Sequence, residues 1–311
     1  MVRFALMTDA LASLQTIPRL GEILSINAAF LWGLAIVMFR VAGRDVGPLA
    51  LNLFKCTVAV ALLAATIPIL GQQLLPPLRW QDYVLFLSSG ILGIALADTL
   101  LLKALNKLGA ELIAIIDCAY SPFVIGLSFL YLGERMNAVQ WAGVGLILLA
   151  VLLISGGRGD AQIPRRELLA GIVLGVLSVF FMAVGIVMVK PRLGATPLLW
   201  GTMVRMAGGM LVLAGIIGFH PRRRTLLRPL RSGRTLRVLI PASVMANYLS
   251  NVSWLAGMRL IQASVASALN QLSTIFIFVL GAFFLKERTT SLKLAAVALA
   301  FAGALLISVP L

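Results

Sequence analysis

The chain has 311 residues, 60% of them hydrophobic and 12% charged, with a formal net charge of +15 and a mean hydropathy of +1.02. A soluble domain is close to half apolar, and no water-soluble core absorbs such an excess, so a soluble globular protein is excluded and a polytopic membrane protein is expected.

In chain order, residues 1–20 form an N-terminal segment carrying Arg3, Asp9 and Arg19 without a long apolar stretch. That pattern predicts no cleavable signal peptide, with the first span itself acting as the targeting element. Ten apolar runs follow, near 22–39, 48–70, 81–102, 109–131, 138–155, 168–189, 197–219, 237–257, 262–285 and 291–309. Each is long enough to cross roughly 30 Å of hydrocarbon as a helix rising about 1.5 Å per residue. Runs such as Val144–Ile154 are apolar on every face, which excludes the alternating pattern of a membrane β-barrel. The expected fold is therefore all-α and integral to the membrane. Cys56 and Cys118 fall inside spans and read as small buried hydrophobes, not as a disulfide or metal site.

A repeat runs through these spans. Residues 132–155 align without a gap on residues 285–308, and ten of the 24 positions are identical, including Glu134-Arg135 with Glu287-Arg288. Upstream, Phe30, Ile36, Val37, Met38 and Arg40 correspond to Phe180, Ile186, Val187, Met188 and Lys190 at an offset of 150, which also places Lys55 on Arg205. The chain thus divides into a five-helix repeat over 21–155, a Gly-rich linker over 156–165 and a second repeat over 166–311. Five crossings per copy give the copies opposite orientations, an inverted repeat of the kind frequent in secondary transporters. The Glu-Arg pairs read as interfacial turns that stop each fourth helix, with gating or coupling as the alternative.

In these features the chain resembles the drug/metabolite transporter superfamily, in particular its EamA-type ten-helix members. The marks are the duplicated five-helix unit, LGER and LKER before helices five and ten, Ser121-Pro122 in the fourth helix, and the basic positions Lys55 and Arg205. The resemblance implies a carrier of small metabolites, often an exporter, working by alternating access around a central cavity in the cell membrane. It names no substrate. The second copy places Ile275 where Pro122 stands, so the two halves need not bend alike.

Charges inside apolar helices are expensive and mark candidate sites. Asp117 lies deep in the fourth helix, with Tyr120 and Ser121 on its face. The equivalent positions of the second copy are Asn270, Ser273 and Thr274. Both tracts read as cavity lining, with Asp117 a candidate proton carrier; helix–helix hydrogen bonding is the alternative. Asp98, matched by Asn251, reads as a second cavity carboxylate or a partner for a buried cation, or else as an interfacial residue paired with Lys103. Lys55 and Arg205 read as snorkelling cations, or as partners for an anionic substrate group or for Asp117. Glu111 falls in a first helical turn, where the helix dipole favours a carboxylate.

Seven arginines, Arg222, Arg223, Arg224, Arg228, Arg231, Arg234 and Arg237, fill one loop without an acid. Beside membrane spans such a run reads as a cytoplasmic contact with anionic lipid headgroups, not as a nucleic-acid site. Walker, HExxH and GxSxG patterns are absent, and the single histidine, His220, lies in that loop. No enzyme and no cofactor are expected. The expected partners are a small-molecule substrate and lipid, with the protein a monomer or homodimer. A lipid-headgroup flippase and a non-transporting membrane scaffold remain as other readings.

The loops after the odd-numbered helices hold 17 of the 26 Lys and Arg residues, against seven on the other side. The positive-inside rule then places both termini outside the cytoplasm, whereas the family resemblance implies the opposite. The charge count is expected to prevail. Terminal alkaline phosphatase fusions should be active and terminal fluorescent-protein fusions dark; the reverse pattern refutes this orientation.

Overall fold

A computed structural model describes residues 19–132, 137–156, 163–260, 269–270, 272–285 and 290–307. Glu134-Arg135, Glu287-Arg288 and most of the linker lie outside the described residues. Within them the chain is helical, with no strand.

The helices are α1 (Leu20–Ala42), α2 (Pro48–Ile69), α3 (Trp80–Leu108), α4 (Ala110–Asp117 and Tyr120–Leu132), α5 (Ala138–Gly156), α6 (Arg165–Leu193) and α7 (Leu198–Gly218), followed by α8 (Gly233–Ser243, Val244–Ser250 and Asn251–Leu260), α9 (Leu272–Leu285) and α10 (Ser291–Ile307). Among the described residues α1, α2, α3, α4, α6 and α7 are long and apolar enough to cross a membrane, and α5, α9 and α10 hold shorter apolar stretches. Large apolar side chains such as Leu130, Val173, Leu211 and Phe283 turn outward, as a hydrocarbon solvent permits. The sequence pattern predicts a loop over 219–237. The structure instead forms short helical turns at Arg223–Leu227 and Arg228–Arg231 and starts α8 at Gly233.

Two helices depart from α geometry where the sequence pattern predicts none. α3 widens into a π-helix over Ile91–Leu96, and α8 does so over Val244–Ser250, 153 residues later. A third irregularity has a local cause. α4 is interrupted by a turn at Cys118 and Ala119, four and three residues before Pro122, whose nitrogen has no hydrogen to donate to the carbonyl of residue 118 and whose ring crowds it. The N–H groups of Cys118 and Ala119 turn instead to the carbonyls of Ile115 and Ile116, at 3.3 and 2.9 Å.

α6 packs on α3 and α4, while α1 packs on α8 and α9; α2 lies against α7, α4 against α9 and α5 against α10. The α3–α6 contact is held at both ends. At one end Arg192 grips Asp82 with two hydrogen bonds of 2.7 and 2.9 Å, and at the other Lys107 pairs with Glu167. Arg40 of α1 donates to the terminal carbonyls of α3 at Leu105 and Asn106, at 2.8 and 2.6 Å, where the helix dipole favours a cation. Midway, Ser178 donates to the Ala97 carbonyl at 2.8 Å and Ser89 to that of Gly185. The helices approach so closely there that a Cβ on Gly185 would stand 2.9 Å from the Cα of Gly93. Small residues permit such contact between membrane helices, where no hydrophobic force drives association.

Gly185→Ala should therefore lower thermal stability in detergent by about 1–3 kcal/mol despite alanine's better helix propensity. Gly215→Ala, whose added Cβ meets nothing within 4 Å, should be neutral or stabilising by up to about 1 kcal/mol. Equal melting temperatures for the two variants would contradict this account of the α3–α6 contact.

Candidate functional site

One cavity of about 110 Å³ lies among seven of the helices, with Asn270 also in its wall. Lys55 reaches it from α2; Asp98, Gly93 and Ile94 from α3; Asp117 and Tyr120 from α4; Met182 and Ile186 from α6; Arg205 and Met206 from α7. Trp32 of α1 and Asn247, Ser250, Asn251 and Trp254 of α8 complete it. Both π-helical segments open onto this space, in keeping with the frequent placement of such widenings at functional sites.

The structure thus gathers Lys55, Asp98, Asp117, Tyr120, Arg205, Asn251 and Asn270 from the ten positions singled out in the sequence. It does not gather the other three. Ser121, Ser273 and Thr274 are buried outside the lining. The Thr274 hydroxyl lies 3.1 Å from Cys118 Sγ and donates to the Ala114 carbonyl at 3.3 Å, tying α9 to α4. A hydroxyl satisfied at a helix crossing has the same sequence signature as one facing water. Both cysteines are buried and free.

Asp98 does not sit at the interface beside Lys103; it is buried and forms an ion pair with Lys55, itself only 2% exposed. Lys55 therefore does not snorkel. A buried ammonium needs a counter-charge at contact distance, because its desolvation costs several kcal/mol. Asn52, one helical turn before Lys55, donates through Nδ2 to the carbonyls of Ile94 (2.9 Å) and Ala95 (3.3 Å) and to the Thr99 hydroxyl (2.9 Å). One face of α2 thus caps the backbone of the π segment and neutralises the acid just beyond it.

Arg205 is also buried but differs from Lys55. Among the described residues no carboxylate forms an ion pair with it, and its Nε has no hydrogen-bond partner. Its guanidinium extends toward Gly93, where a Cβ would stand 3.6 Å from Nη2. Nearby, Asn247 donates to Met206 Sδ at 3.6 Å and leaves its Oδ1 without a partner. The carboxylate of Asp117 meets the indole of Trp32. Glu111 is fully buried in the first turn of α4 and lies outside the cavity.

The sequence pattern of the EamA-like transporter family matches residues 19–156 and again residues 169–309. The chain belongs to the EamA-like transporter family. It is 26% identical over 133 residues to an uncharacterized transporter of Archaeoglobus fulgidus, an alignment that takes in 43% of this chain and 46% of the relative. The chain thus spans about half the length of that relative. A solved crystal structure that is 17% identical matches it with a TM-score of 0.68, over 92% of this chain and 95% of the other, a likeness of fold. Family membership and the long apolar helices make this a multi-pass membrane protein.

Sequence reasoning missed Trp32, Asn247, Ser250 and Trp254. Asn247 and Ser250 fall inside the α8 π segment, where a straight-helix face assignment fails. The one available signal was their place 153 residues beyond Ile94 and Ala97, beside Asp98.

Removing one member of the Lys55–Asp98 pair leaves the other charged and buried. Lys55→Met should destabilise the protein by ~3–5 kcal/mol, and Lys55→Met/Asp98→Asn should regain most of the loss. Thermal unfolding in detergent would show it; a double variant no more stable than the single would mean that the charges do not depend on each other.

Proposed function

We propose that the protein is a secondary transporter of a small metabolite, such as an amino acid or drug-like solute, that exposes one central site alternately to the two sides of the cell membrane. The observation that carries this reading is the charge-lined cavity among helices drawn from both halves of the chain. Structural proteins have no use for buried ionisable groups around a space, because each costs insertion energy and returns no packing.

The reading includes ten spanning helices arranged as an inverted repeat. Three findings support that part: the family pattern matches twice along the chain, the π segments recur 153 residues apart, and the packing pairs map onto each other when each helix is exchanged for its counterpart five places along. The pairing of α1 with α8 and α9 then answers that of α6 with α3 and α4. Export is the direction that the family resemblance implies. Asp117 or Asp98 would carry a coupling proton, and the arginine-rich segment 222–237 would rest on anionic cytoplasmic lipid. A cavity of about 110 Å³ suits a compact solute better than a lipid-linked head group.

Protein reconstituted in liposomes should exchange a member of a panel of amino acids, nucleosides, sugars and cationic drugs saturably. An imposed pH gradient should drive accumulation in the wild type and fail to do so in Asp117→Asn while passive exchange survives. Scrambling of headgroup-labelled lipid without solute exchange would replace this reading with a flippase, and a full response to the gradient in Asp117→Asn would remove Asp117 from coupling.

A further inference from the structure

The two halves of the cavity differ in charge in a way that duplication alone does not produce. Lys55 and Arg205 occupy matching positions on α2 and α7. In the first half the lysine has its acid, Asp98. In the second half the residue matching Asp98 is Asn251, an amide that donates to the Ala246 carbonyl at 3.0 Å and brings no charge. The basic position was kept and its acid is missing.

The result is a buried arginine, 8% exposed as a residue, lining the cavity, with no carboxylate in an ion pair with it among the described residues and an unpartnered Nε. Asp98 lies within its electrostatic reach but is already engaged by Lys55, and Asp117 meets Trp32 instead. The guanidinium lies over Gly93, where a Cβ would stand 3.6 Å from Nη2. Beside it, the unpaired Oδ1 of Asn247 offers a neutral polar contact, and Met182, Ile186 and Trp254 supply an apolar wall. An unpaired buried cation is costly, and an incoming anion that pairs with it regains that energy on binding.

We propose that Arg205 is the anchor for an anionic group of the transported solute, a carboxylate or a phosphate on a compact body, with Asn251 in place of an acid keeping the site open. The proposal rests on the transport reading above. A planar, permanently charged guanidinium grips either oxyanion through two parallel hydrogen bonds, whereas Lys55, held by Asp98, is closed to it. The cavity of about 110 Å³ suits a compact body.

The test uses full-length protein in detergent at constant ionic strength, with lactate, propionate and methyl phosphate against lactamide and propionamide. At 50 mM an acid should raise the melting temperature by about 2–4 °C, and its amide should not. Arg205→Gln should lose the response. Asn251→Asp should lose it too while melting no lower than the wild type, because it gives Arg205 an internal partner; this variant keeps the test decisive if Arg205→Gln folds poorly. Response to the two carboxylates alone assigns a carboxylate, and to methyl phosphate alone a phosphate ester. Stabilisation shared equally by the amides, no response to any acid, or an undiminished response in Asn251→Asp overturns the proposal. Liposomes separate it from the reading beneath it. Acid binding without solute exchange overturns transport and leaves the anion site standing, whereas exchange of amides but not acids does the reverse.

Discussion

A lysine ammonium in the middle of an apolar bundle is tolerable only against a carboxylate, and the Lys55–Asp98 pair organises the helices around it. Bringing Asp98 to face α2 depends on the π segment just before it. One extra residue in the helical repeat turns all that follows by about 100°. The Asn52 amide adds a donor to the carbonyls of Ile94 and Ala95 within this segment, the second of which also accepts from Thr99 Oγ1 at 2.6 Å. Asn52 and Lys55 stand three residues apart on one face of α2, so a single helical turn answers both the backbone defect and the charge.

The second half keeps this geometry and changes its chemistry. Its π segment recurs at Val244–Ser250 and its basic residue at Arg205, while Asn251 replaces the acid. The close approach of α3 to α6 at Gly93 and Gly185 has its counterpart in Ala246 and Ala35, both fully buried small residues. The two halves match in shape more closely than in charge. A frame of small residues and helix widenings fixes where side chains enter the cavity, and the residues placed there are free to differ.

How much of this was legible in the sequence depended on how rare each signal is. An ionisable residue in an apolar run is conspicuous, so Lys55, Asp98, Asp117 and Arg205 stood out, and all four line the cavity. Hydroxyls are common in membrane helices and carry little information, which is why Ser121, Ser273 and Thr274 read like cavity residues although they are buried elsewhere. The phase of a helix was the second limit. Face assignments assume 3.6 residues per turn, and the turn before Pro122 and the two π segments break that assumption. The partner of Asp98 lay outside local reasoning altogether, because Lys55 is 43 residues away in sequence and on another helix.

The distribution of contacts constrains any rocking motion. α3 and α6 are joined by the bidentate Asp82–Arg192 pair at one end, by Lys107–Glu167 at the other and by glycine contact between. The first pair carries more weight, since Asp82 is buried whereas Lys107 and Glu167 are each a third to a half exposed, and solvent-screened pairs contribute little. α1 and α8 are joined more lightly, through Ser250 to the Ala28 carbonyl at 2.9 Å and Asn27 to Ser253 at 3.2 Å. A motion that kept these two units intact would have to act where they meet, and one such place is the crossing of α4 with α9. The described polar contacts there are neutral, between Thr274, Cys118 and the Ala114 carbonyl. A neutral hydrogen bond contributes about 0.5–1.5 kcal/mol net, and Cys118 has the Ala114 carbonyl of its own helix at 3.6 Å as a second acceptor. The polar contacts at this crossing are therefore weaker than the charge pairs that hold α3 to α6, and the crossing lies beside Asp117, where the turn before Pro122 interrupts α4.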